Sequence, residues 1–100
     1  MIERIKNNEE KLDQIIKTYN ELNIALNNFE SIEDIIKDIN KYYGSKEWFF
    51  DKEIYEDKKL PPIKAGVLSE DTVWNINEDI KELLEKMNKL SNRMIQKNQD

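Results

Sequence analysis

From Val73 to Met94 the apolar residues Val73, Ile76, Ile80, Leu83, Met87, Leu90 and Met94 recur at alternating steps of three and four without an error. A chain carrying such a stripe has few options. The pattern has the period of an α-helix with one apolar seam, and it is incompatible with the alternation of a half-buried strand. Ahead of it, Ser69 is placed as an N-cap, with Glu70 and Asp71 putting negative charge on the first turn. Leu68 and Val73 are spaced as a hydrophobic staple. Acids (Glu78, Asp79, Glu82, Glu85) then precede bases (Lys86, Lys89, Arg93, Lys97), an order that complements the helix dipole. Glu82–Lys86 and Glu85–Lys89 are i,i+4 pairs. These charges read as a solvated face. The expected helix covers residues 69–97, within a last arm running from Ser69 to Gln99.

A second seam opens the chain. Ile5, Leu12, Tyr19 and Leu26 repeat every seven residues, and Ile15, Leu22 and Phe29 fill the alternate positions, with only Asn8 out of place. Ile16 widens the stripe toward the face of a bundle helix. After Phe29 the register slips to Ile32, Ile36, Ile39 and Tyr43, one residue short of the heptad. Ser31 stands at the slip as a candidate cap, followed by Glu33 and Asp34. No Gly or Pro enforces a break, so residues 1–43 are expected as one long helix with a bend near 30–31, two helices meeting there being the other option. Gly44 is expected to end this arm in the left-handed conformation.

Between the arms lie both Gly and both Pro of the 100 residues, so punctuation is confined to one link. Ser45 is placed to cap a short helix over residues 45–58. On a helical wheel Trp48 and Tyr55 share one face, Phe50 and Ile54 lie on nearly the opposite one, and Phe49 falls between. A helix apolar nearly all round is expected to wedge between the arms. Residues 59–68 form a strap, with Leu60-Pro61-Pro62 stopping any helix, Gly66 expected at a positive-φ turn, and Leu60, Ile63, Val67 and Leu68 pinning it down. The architecture expected is all-α: an elongated, coiled-coil-like antiparallel helical hairpin, with a short third helix and a Pro-containing strap at one end, in a single domain.

The block Tyr42-Tyr43-Gly44-Ser45-Lys46-Glu47-Trp48, then Leu60-Pro61, then Gly66-Val67-Leu68-Ser69-Glu70-Asp71-Thr72-Val73-Trp74 resembles a family of small bacterial proteins known only as a domain of unknown function. The arms match in pattern and the central block in residues. Where members carry a basic residue before Gly-Val-Leu-Ser-Glu-Asp, this chain has Ala65, and where they are acidic before Leu-Pro it has Lys58 and Lys59. The resemblance implies a helical fold and carries no activity.

Chemistry is narrowly bounded. The chain has no Cys and no His, which removes disulfides, thiolate nucleophiles and the commonest general base and zinc ligand. A carboxylate-based enzyme or a hard-cation site would draw on Glu47, Asp51, Glu53, Glu56 and Asp57, but interspersed Lys52, Lys58 and Lys59 read as a solvated surface. Catalytic, cofactor-binding and metal-ligating residues are therefore all assigned as none. A net charge of −5 argues against direct nucleic-acid binding, which draws on clustered Lys and Arg. No apolar run spans a membrane, and the MIERIKNNEEK start lacks a signal-peptide pattern, so the expected location is the cytoplasm. The function expected is a non-catalytic protein–protein interaction module, acting as adaptor, accessory or regulator, with a protein partner or a second copy of itself. The alternative is a small acidic inhibitor of a host or defence enzyme, of phage or mobile-element type. The candidate contact residues are Trp48, Phe49, Phe50, Ile54 and Tyr55.

Overall fold

A computed structural model describes residues 1–98, and among these the regular structure is entirely helical. Helix α1 spans Ile2–Ser31, α2 Glu33–Tyr42, α3 Lys46–Glu56 and α4 Thr72–Asn98, with a 3-10 turn at Gly66–Leu68 before α4. The all-α expectation holds. Gln99, placed at the end of the last arm by its pattern, lies outside the described residues. The chain divides into two compact units, Met1–Ile39 and Asn40–Asp100.

In the first unit, α1 closes at Ile32, whose backbone (φ −98°, ψ 9°) leaves the helical region. Its N–H donates to the Phe29 carbonyl, and its own carbonyl accepts from Ile36 at 2.9 Å, so hydrogen bonding passes directly into α2. The bend expected near Ser31 thus sits one residue later, where the seam slips register. Ser31 does not cap α2. Its hydroxyl donates back to the Asn28 carbonyl at 2.6 Å, the local bond that Ser makes when it ends up inside a helix. No side chain of α1 is buried.

In the second unit, α2 ends at Tyr42 and Gly44 takes a φ of +78°, as the sequence requires. Ser45 then caps α3, its hydroxyl accepting from the Trp48 backbone N–H at 3.2 Å. Asn40 and Asn77 exchange side-chain amide hydrogen bonds, and the Tyr43 hydroxyl donates to the Glu70 carbonyl. Moving forward from 40 to 43 meets partners moving back from 77 to 70, so the last turn of α2 and the approach to α4 run antiparallel.

Helix α3 stops before the prolines act. Lys58 adopts φ +58°, its N–H donates to Tyr55, and the Lys59 N–H reaches back to Ile54. These are the two bonds of a Schellman motif, built with lysine where glycine is usual. Gly66, expected at a positive φ, instead opens the 3-10 turn with an ordinary backbone. Leu60 and Ile63 do not pin the strap; both are exposed, and only Val67 and Leu68 turn inward. Ser69 accepts from the Asp71 N–H at 3.3 Å, but the α-helical ladder begins later, with Asn75 donating to the Asp71 carbonyl. Ser69 therefore stabilises the turn leading into α4 rather than its first residue. Glu82–Lys86 and Glu85–Lys89 are not ion pairs, no N···O distance falling within 4.0 Å. Fully solvated side chains gain too little from pairing to hold one rotamer.

The core is small. Among the described residues, Trp48 of α3, Leu68 of the 3-10 turn and Val73 of α4 are the buried side chains. The 3-10 turn packs against both α3 and α4. Leu68 and Val73, the residues spaced as a staple, are both inside.

Candidate interaction surface

Trp48 anchors the site. Its capped position in the first turn of α3 aims the indole inward, where 4% of it is exposed. The indole N–H donates to the Val67 carbonyl at 2.8 Å, satisfying the polar edge that burial would otherwise leave unpaired. Tyr43 and Phe49 each meet the indole edge-on, at centroid distances of 5.1 and 4.9 Å.

One turn on from Trp48, at the i+4 position, Lys52 lays its ammonium over the indole face, 5.2 Å from the centroid. The same ammonium donates to the Glu70 carboxylate at 2.6 Å and lies 3.9 Å from Glu56. The sequence places Lys52 on a solvated surface, but its side chain is only 18% exposed. The hydrogen bond to Glu70 raises the lysine pKa against the opposing effect of desolvation, and the same bond lowers the pKa of Glu70. On the neighbouring side of α3, Asp51 accepts from the Tyr42 hydroxyl at 2.6 Å. That bond pushes the phenol from 10.0 up to about 12, helped by desolvation and by the nearby carboxylate charges. A cleft of about 450 Å³ opens between α3 and the approach to α4, lined in part by Lys52, Glu56, Glu70 and Asp71.

The five candidate contact residues divide. Trp48 is inside and Ile54 is half-buried, while Tyr55 is 39% exposed. Phe49 and Phe50 stand out at 61% and 62% exposed. The helix is therefore not wedged on several sides, as its all-round apolar wheel suggested. Cover is most complete at Trp48, where the 3-10 turn packs, while Ile54 toward the opposite face is half-buried. Lys52 and Tyr42 are the participants that sequence reasoning passed over. The i,i+4 spacing of Trp48 and Lys52 could have flagged the first; the Tyr42–Asp51 bond crosses a turn whose geometry leaves no local signal.

No group of three or more Asp, Glu, His or Cys among the described residues is placed to hold a metal ion. No described helix is long and apolar enough to cross a membrane. A family model described as a domain of unknown function, DUF4298, matches residues 5–90. The chain belongs to the DUF4298 family. The match takes in α2, α3, the strap and the 3-10 turn whole, so the Trp48 anchor and the exposed Phe pair both lie within the DUF4298 domain. No curated protein and no solved structure matches the chain.

Proposed function

We propose that this DUF4298 chain is a non-catalytic protein–protein interaction module that engages its partner through the outward side of α3. The observation that carries the reading is the exposure of Phe49 and Phe50, 61% and 62%, on a helix held from its other side by Trp48. Adjacent solvent-facing phenylalanines on a rigid, capped helix are the arrangement from which interface anchors are made, since aromatic area is presented with few torsions left to order. The absence of His and Cys supports a binding role over catalysis. Of the carboxylates that could have served chemistry, Asp51 accepts from Tyr42 and Glu56 faces Lys52.

The test compares affinity purification from the native cell using wild type and Phe50→Asp, with circular dichroism on both. Loss of a reproducible set of proteins at unchanged helicity supports the reading. Retention of the same set by the variant overturns it, and so does loss of the fold, which would make Phe50 structural.

A further inference from the structure

A different surface carries a second conclusion, one that concerns copies of this chain. Helix α1 presents eight seam positions, Ile5, Asn8, Leu12, Ile15, Tyr19, Leu22, Leu26 and Phe29, over four heptads. None of them is buried, and Ile15 and Tyr19 at its middle are 65% and 63% exposed. A 30-residue helix with a continuous apolar seam does not hold such a face in water without an occupant.

The flanking charges say which occupant fits. With Ile5, Leu12, Tyr19 and Leu26 as the a positions, the g positions are Arg4, Lys11, Thr18 and Ala25, and the e positions are Glu9, Ile16, Asn23 and Glu30. In a parallel, in-register pair of helices each g position faces the e position five residues later on the partner. That places Arg4 beside Glu9 of the second copy, and no like charges meet. The antiparallel pairing with full overlap sets Glu9 against Glu30, and a shorter overlap confined to the first heptads sets Arg4 against Lys11. Asn8 is the one polar residue in the seam. Its side-chain N–H already donates to the Arg4 carbonyl at 2.8 Å, leaving its carbonyl oxygen and second N–H for its counterpart. A single polar layer of this kind selects register, because a shifted or inverted pairing buries the amide against an apolar side chain.

The geometry points to α1 as a homodimerisation helix, forming a parallel two-stranded coiled coil with α1 of a second copy. This surface is separate from the α3 face, so the two can fail independently.

The absence of native Cys makes the test direct. The mass of the full chain is measured by sedimentation equilibrium over a wide concentration range, together with cross-linking of single-cysteine variants under mild oxidation. The expected results are twice the chain mass and a disulfide-linked dimer from Asn8→Cys alone. Ile15→Lys, made in a Trp74→Phe background, is expected to return the mass to that of one chain with the α3 contacts intact, read from the fluorescence of the remaining Trp48. A monomeric wild type at all concentrations overturns the inference. A dimer in which Asn8→Cys cross-links only when mixed with Leu26→Cys overturns the parallel arrangement.

Discussion

The indole N–H of Trp48 and the backbone carbonyl of Val67 meet at 2.8 Å across 19 residues of sequence. This bond ties α3 to the 3-10 turn, and through that turn to α4. Trp48→Phe keeps most of the apolar volume but strands the Val67 carbonyl, and is expected to cost about 1–3 kcal/mol. Trp48→Ala removes one of the three side chains buried among the described residues and is expected to cost about 3–5 kcal/mol. Urea denaturation followed by circular dichroism reads both. A loss from Trp48→Phe indistinguishable from zero would mean that the hydrogen bond is replaced by water without penalty.

Tyr42 should ionise late. Its phenol is held at about 12 because the neutral form donates to Asp51. A folded pKa above the unfolded value of 10.0 means that the contribution to stability is full below pH 10 and is lost as pH climbs toward 12. Alkaline titration of phenolate absorbance should show a late component, and Tyr42→Phe should abolish it. Disappearance of that component in Asp51→Asn alone would identify the acceptor independently.

The Lys52–Glu70 pair makes opposite pH limbs. Glu70 is lowered from 4.5, so its contribution is present above that value and fades as pH falls; Lys52 is raised from 10.5, so its contribution is present below that value and fades as pH rises. Glu70→Gln should therefore flatten the acid limb of the stability profile and leave neutral-pH helicity unchanged. Thermal melts across the acid range make the comparison. An unchanged acid limb would show that solvent screens the pair completely.

Two left-handed residues predict opposite signs. Gly44, at φ +78°, has open space where a Cβ would sit, so Gly44→Ala costs only backbone strain, about 1–2 kcal/mol. Lys58 carries a side chain at φ +58°, and Lys58→Gly should gain roughly 0.5–1 kcal/mol after the added flexibility of the unfolded chain is offset. Chemical denaturation of the pair settles whether the Schellman turn is strained. A stabilising Gly44→Ala would place that turn in a different conformation.

The elements whose causes are local were legible in the residues. A 3-4 stripe makes a helix wherever it lies, so α4 and α1 follow from Val73–Met94 and Ile5–Phe29. Gly44 ends α2 and Ser45 begins α3 because each acts on a backbone a few residues away. Ser31 and Ser69 mark the limit of such reasoning. Both are good caps in isolation, yet one hydroxyl donates to its own helix and the other closes a turn before the helix begins. A hydroxyl both donates and accepts, and the path of the chain decides which bond is within reach.

What the sequence determined by itself was therefore the helical content, the break between the arms, and the confinement of Gly and Pro to the link. What only the tertiary structure decided was which side of α3 faces inward. Its wheel offered apolar residues nearly all round, and only the i,i+4 spacing of Trp48 and Lys52 set Trp48 apart from Phe50. The choice falls to Trp48 because its indole N–H finds the Val67 carbonyl and its ring face receives Lys52, itself held by Glu70. Those partners lie 19 and 22 residues further along the chain, beyond the reach of any periodicity. Long-range polar satisfaction buried one aromatic and left Phe49 and Phe50 facing out.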